Sequence, residues 1–285
     1  MTEASPTPPG GQELFAGELR KLFAFARRDF RTALSYRMAF FTDLIGLAAQ
    51  IVVFYFIGRL VDPAALPTYG GTQVTYLEFA AVGIGIAVFV EFGLQHVSRA
   101  IRGEQLMGTL DLLLMTPTNW STIQLGSVAF ELVFIPLRMT IFLVAVALAF
   151  GLDFQASGIG PSLVLLLALI PFVWGLGIVA AAIVLTFRRG GGVVGILSLA
   201  LALTSGLYFP VDLLPSWLQE AAQLNPLAVV TNGIREALVA GGDWATVGSD
   251  LALLVPMALL SLLIGSICFR LALRREHRLG TLGQY

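Results

Sequence analysis

Six long apolar runs constrain this 285-residue chain more than any other feature. They lie at about Met38–Leu60, Leu77–Ser98, Ile123–Phe150, Ser162–Phe187, Val193–Phe209 and Leu251–Leu273. A helix needs roughly 20 apolar residues to cross the hydrocarbon core of a bilayer. Backbone polar groups cannot stay bare in lipid, so such runs fold as helices and not as open strands. Charged residues make up 12% of the chain and hydrophobic ones 57%, whereas a soluble domain is about a quarter charged. The expected fold class is therefore an all-α integral membrane protein with six transmembrane helices over residues 38–273. The fifth run is short and ends at Pro210, which suits a span that breaks into non-spanning structure at one face.

The placement of the basic residues sets an orientation. Arg20, Lys21, Arg27, Arg28, Arg31 and Arg37 precede the first run, and Arg99 and Arg102 follow the second. Arg188 and Arg189 follow the fourth, and Arg270, Arg274, Arg275 and Arg278 close the chain. These are 14 of the 17 basic residues, all on one face of an even-numbered bundle. By the positive-inside rule that face is cytoplasmic, and so are both termini. The region 210–250 then faces outside, and there Asp212, Glu220, Glu236, Asp243 and Asp250 outnumber the lone Arg235.

Residues 1–12 read as a disordered tail, rich in Pro, Gly, Thr and Ser. Residues 13–37 read as an amphipathic interfacial helix, with Phe15, Leu19, Phe23, Phe30 and Leu34 on one face and the basic residues on the other. The first apolar run has no small-residue cleavage site at a suitable distance, so it is expected to stay as a span and not leave as a signal peptide. Residues 274–285 are expected to form a cytoplasmic tail.

Several chemistries find no support. The single cysteine, Cys268, leaves no intrachain disulfide, and two distant histidines, His96 and His277, cannot make a zinc site alone. No phosphate-binding Gly-x-x-x-x-Gly-Lys-[Ser/Thr] loop exists, and Gly190-Gly191-Gly192 has no lysine after it. If ATP drives this protein, another chain binds it. Intramembrane hydrolysis would need a Ser/His pair or two embedded aspartates, and neither is evident.

Charges inside the runs are few: Glu91 in the second, Glu131 and Arg138 in the third. An ionised group near the bilayer centre costs about 3 kcal/mol or more, so each must find a partner or water. Two readings stand. One is a structural ion pair such as Glu91 with Arg138; the other is a polar lining of a substrate route.

Two segments carry further signal. Between the second and third runs, 99–117 includes Glu104, Gly108, Thr109, Asp111, Leu112, Thr116 and Pro117. Thr109–Met115 predicts an apolar helix too brief to span, stopped because the residue before proline avoids the helical region. Leucines on such a helix suit a groove on a partner, or an interfacial turn. The second segment, 210–245, holds Pro210, Pro215, Trp217, Asn225, Pro226 and Arg235, with Phe209 just before it. Asp212 is placed to cap a helix over Leu213–Leu224. Asn225 is placed to cap another that has Pro226 at its first position, with Leu227, Val230, Ile234 and Leu238 as its apolar stripe.

With Gly108-Thr109-x-Asp111-x-Leu113-x-x-Thr116-Pro117, Phe209-Pro210, Leu214-Pro215-x-Trp217-Leu218, Asn225-Pro226-Leu227 and Arg235 in these places, the chain resembles the permease subunit of the type-2 ABC exporter family. Asp111 stands where that family more often carries Glu, one methylene longer with the same charge. The resemblance implies a transporter permease with no ATPase site of its own, exporting a drug-like, lipid-like or lipid-linked glycan cargo across the cytoplasmic (inner) membrane. It implies two copies of a separate ATPase subunit that bind ATP and Mg, a second permease copy forming a homodimer, and contact with membrane lipid. Nucleic acid is not an expected partner, and no cofactor or metal is expected in this chain. Glu104–Thr116 would be the coupling helix, 210–245 a re-entrant extracellular helix pair acting as a gate, and spans two and five the route at the dimer interface. The alternatives are a non-ABC membrane scaffold and an ion-coupled carrier.

Overall fold

The computed structural model describes Arg27, Phe30, Arg31 and residues 37–106, 120–187, 191–242 and 244–279. Within these, the long helices are α1 (Arg37–Gly58), α2 (Tyr76–Leu106), α3 (Trp120–Phe150), α4 (Ile159–Thr186), α5 (Gly191–Thr204) and α8 (Trp244–Leu279). Between α5 and α8 lie two short helices, α6 (Ser216–Gln223) and α7 (Pro226–Ala240). All six apolar runs are thus helical, and the chain is an all-helical membrane protein apart from one small hairpin among the described residues. Three stretches there are long and apolar enough to cross a bilayer: Tyr76–Gln95, Ala156–Thr186 and Trp244–Arg275. The apolar stretches of α1, α3 and α5 are shorter: Ile45–Gly58, Pro136–Phe150 and Gly191–Thr204.

Helix ends differ from expectation in three places, each for a local reason. The second helix runs past Ser98 to Leu106, because Arg99–Arg102 contains only residues that tolerate a helix well. The sixth begins at Trp244, no proline intervening before Leu251. The fifth stops at Thr204 and not Phe209, since Gly206 adopts a left-handed φ of 65° that a continuing helix cannot hold. A fourth correction concerns Asp212. It lies inside a short 3-10 turn, Val211–Leu213, and α6 starts after Pro215 with no side-chain cap.

Between α1 and α2, strands β1 (Thr68–Tyr69) and β2 (Thr72–Gln73) form an antiparallel hairpin pairing Tyr69 with Thr72. Its two-residue turn, Gly70-Gly71, has φ of 54° and 79°, the all-positive pattern that suits the twist of a tight hairpin.

The core gathers α2, α4, α7 and α8, through Val82 and Ile86, Leu165 and Leu169, Leu227 and Val230, Leu254 and Ala258. Helices α4 and α8 approach most closely where side chains are smallest. A Cβ at Gly265 would meet the Gly175 carbonyl at 2.6 Å, and Ser261 Oγ donates to Phe172 O at 2.9 Å. Small residues and a hydroxyl bond are what association in lipid relies on, since tails are as apolar as leucine. Eleven of the fifteen α7 residues are buried, so this helix is an interior element and not a surface cover. Its predicted stripe, Leu227, Val230, Ile234 and Leu238, is buried throughout.

Gly265→Ala is expected to force α4 and α8 apart and destabilise the protein by about 1–3 kcal/mol, read as a lower melting temperature in detergent. An unchanged melting temperature would show that the contact yields freely.

Candidate functional site

A helix that ends inside a membrane protein frees carbonyls that water cannot reach. The end of α5 frees a run of them, and side chains from elsewhere take them up. Asn225 Nδ2 donates to Leu201 O at 3.2 Å and to Thr204 Oγ1 at 2.9 Å, and Ser205 Oγ donates to Ala202 O at 3.0 Å. Arg235 Nη1 donates to Gly206 O and its Nη2 to Leu207 O, both at 2.9 Å. The Tyr76 hydroxyl donates to Tyr208 O at 3.1 Å.

Arg235 also reaches the first turns of α2. Its Nε and Nη2 donate to Phe79 O at 3.2 and 2.9 Å, and its Cζ lies 3.5 Å from the centroid of the Phe79 ring. One guanidinium therefore joins α7, the start of α2 and the chain break after α5. Only 1% of the residue is exposed. Burial pulls its pKa down to about 10, with Tyr69 acting the other way, so it stays a cation at neutral pH. Among the described residues its partners are carbonyl oxygens, an aromatic face and the Tyr69 hydroxyl, an arrangement that the planar five-donor fork suits and an ammonium does not.

Two further contacts hold this junction. The Tyr69 hydroxyl, at the hairpin, donates to Asn232 Oδ1 at 3.1 Å, one turn from Arg235. Burial raises the Tyr69 pKa, Arg235 partly offsetting it, so the hydroxyl keeps its proton. Gly83 of α2 faces the break so closely that a Cβ there would sit 1.7 Å from Leu207 O and 3.0 Å from Arg235 Nη2. Only glycine fits.

On the other side of the Leu207–Tyr208 backbone lies a cavity of about 620 Å³. Thr42 and Gln50 of α1, Glu91 and Gln95 of α2, Arg138 of α3 and Ser198 of α5 line it. Glu91 accepts a hydrogen bond from Gln95 Nε2. An acid, a base and several amides thus share one chamber between apolar helices, able to hold water or a polar head group. Among the described residues no group of three His, Cys, Asp or Glu side chains could hold a metal.

The structure brings some of the sequence-selected residues together. Asn225 caps α7 through Leu227 N at 3.0 Å, with Pro226 at the first position. Asn225, Pro226 and Arg235, with Phe209 half-buried and Pro210 buried, cluster at the break. Pro215 and Trp217 do not join them; both are exposed, Pro215 just before α6 and Trp217 on it at 68%. Glu91 and Arg138 both line the cavity, whereas the Glu131 side chain lies outside the described residues. Glu104 falls in the last turn of α2, its side chain outside them too. Gly108, Thr109, Asp111, Leu112, Thr116 and Pro117 also lie outside, as does nearly all of the expected interfacial helix at 13–37. Sequence reasoning missed Tyr69, Tyr76, Gly83 and Asn232. The Tyr69-Gly70-Gly71-Thr72 turn signal could have found the hairpin; nothing local marks Gly83.

A family model described as ABC-2 type transporter matches residues 20–239, from before α1 almost to the end of α7. The chain belongs to the ABC-2 type transporter family. No curated protein matches it. It is a multi-pass membrane protein and the permease component of an ABC-type transporter, not itself an ATPase; permeases of this family generally work with a separate ATPase subunit. In this ABC-2 permease the arginine junction lies within the matched region, and α8, which packs against α4, follows it.

Arg235→Leu is expected to strip donors from Gly206 O and Leu207 O. Each buried group left unpaired costs about 1–3 kcal/mol, so the permease should melt far below wild type in detergent. Arg235→Lys keeps the charge without the fork and should fall between. Wild-type melting of the leucine variant would contradict the role given to the guanidinium.

Proposed function

We propose that this permease is the membrane half of an ATP-driven exporter. It moves a hydrophobic, drug-like, lipid-like or lipid-linked glycan substrate out of the cytoplasm or inner leaflet. A separate ATPase subunit, in two copies, binds ATP and Mg, and a second copy of this chain completes a homodimer. The chain crosses the cytoplasmic (inner) membrane six times with both termini in the cytoplasm. The observation that carries this reading is membership of the ABC-2 family over 20–239.

Other features support its parts. The arginine distribution favours the orientation. A partner against α5 accords with the exposure of that helix: Val194 is its one buried residue, Ile196 and Leu199 are 71% and 59% exposed, and Gly195 faces open space. Such small and apolar surfaces suit a second helix in lipid. Energy coupling through Glu104–Thr116 accords with the unbroken α2. From Gln95 at the cavity to Leu106 this helix is a rod about 17 Å long, so a push at its inner end reaches both the cavity and Gly83. At its other end Arg235 ties the same rod to α7, which is why we assign the 210–245 segment to the outer gate.

Leu112→Glu or Asp111→Arg is expected to abolish transport by the reconstituted complex with membrane insertion unaltered. Undiminished substrate-stimulated ATP hydrolysis would overturn the coupling assignment. For the cavity charges we expect Glu91→Gln or Arg138→Gln alone to lower yield, and the double replacement to restore both yield and transport. Restored yield without transport would assign these charges to the cargo and not to a structural pair.

A further inference from the structure

A second cavity, between α3 and α4 beside the 151–158 connection, belongs neither to the arginine junction nor to the polar chamber. No residue of α1, α2 or α5 lines it. Leu143 and Leu148 of α3, Leu163 and Leu166 of α4, and Ile234 and Leu238 of α7 contribute to its walls. Its volume, about 270 Å³, lies just under the usual range for small-ligand sites of roughly 300–1,000 Å³. That is room for one slender chain, and too little for a helix about 10–12 Å across.

Its polar content is small and specific. Only Thr140 and Ser162 supply polar side chains. Thr140 Oγ1 already donates to Pro136 O at 2.9 Å. The Ser162 hydroxyl is on a residue 9% exposed and has no hydrogen-bond partner among the described residues. A buried hydroxyl without a partner is unfavourable and calls for an explanation. Ser162 is the fourth residue of α4, about 5 Å along the axis from the helix start; since the 28 residues of α4 exceed the roughly 20 that cross the hydrocarbon core, a residue so near its end suits the level of lipid ester groups. The walls run out onto exposed apolar surface, with Val144 48%, Leu148 82% and Ile159 49% exposed. On a multi-pass membrane protein that surface is continuous with the lipid.

We propose that this groove holds one acyl chain of a phospholipid from the adjacent leaflet, its ester carbonyl accepting a hydrogen bond from Ser162 Oγ after a turn about χ1. The chain then packs on Ile234 and Leu238, so lipid helps to seat the helix that carries Arg235. The inference rests on the membrane class of the protein and not on the exporter reading, and its test needs neither ATPase nor transport.

The full chain is placed in phosphatidylethanolamine and phosphatidylglycerol nanodiscs doped with a phosphatidylethanolamine carrying a diazirine on one acyl chain. Cross-links are mapped after illumination. Labelling is expected to be denser on 143–166 than on 253–271, a stretch of α8 with more exposed apolar side chains but no groove. Ser162→Ala should lower the groove signal about fivefold, the equivalent of one ordinary hydrogen bond, and Ala147→Trp should bring it to the α8 level. Melting supplies a second reading. In lipid-free detergent Ser162→Ala should match or exceed wild type, because it removes an unpaired hydroxyl; in nanodiscs it should melt lower. Equal labelling of the two stretches, or a Ser162→Ala variant at least as stable as wild type in nanodiscs, would overturn the proposal and leave the groove to a protein partner or to empty packing.

Discussion

The guanidinium of Arg235 answers a problem that any chain meets when it breaks a helix inside a packed bundle. When α5 stops at Thr204, the carbonyls of the buried Gly206 and Leu207 are left without helical partners. Arg235 takes those of Gly206 and Leu207 and, in the same plane, that of Phe79 on α2. Gly206 ends α5, the Leu207 carbonyl allows only glycine at position 83, and Arg235 satisfies the carbonyls that this break exposes. Arginine suits it because a flat fork reaches several oxygens at once and stays charged at a pKa of about 10. One side chain thereby links α7, the start of α2 and the break after α5.

Around that junction the bundle is unevenly packed. Helices α4 and α8 are interlocked through Gly175, Gly265 and Ser261, close enough to leave no room for a methyl group. Helix α5, much of α1 and one face of α8 expose their apolar residues, among them Ile45, Val53, Ile196, Leu199, Leu259 and Leu263. The polar cavity lies between α1, α2, α3 and α5. Leu207, whose carbonyl Arg235 takes, lines that cavity, and Ile234, next to Arg235, lines the acyl groove.

Some of this was legible in the chain itself. The α7 cap is local chemistry: Asn225 bonds Leu227 N two residues on, Pro226 has no amide hydrogen to satisfy, and Gly241 ends the helix at a φ of 72°. The buried stripe of Leu227, Val230, Ile234 and Leu238 follows from helical period alone. Asp212 misled for the converse reason. A side chain able to cap does so only if the chain turns into a helix directly after it, and here a 3-10 turn and Pro215 intervene. The Gly-Gly hairpin was legible but passed over, since two-residue strands carry almost no alternation to notice.

Length of apolar runs, the side on which arginines fall, and caps formed within a few residues are one-dimensional properties, and from them the sequence by itself determined a helical membrane protein and the start of α7, while the family came through the resemblance of its motifs. The partners of Arg235 are of another kind. Its acceptors lie 29, 28 and 156 residues away, and Gly83 matters only because a distant carbonyl passes over it. The placing of Glu91 and Arg138 on the walls of one cavity, and the unpaired hydroxyl of Ser162, likewise depend on how helices dock. Only the tertiary structure decided these, because a hydrogen bond is set by distances of about 3 Å in space and no local pattern specifies which far-off group will arrive there.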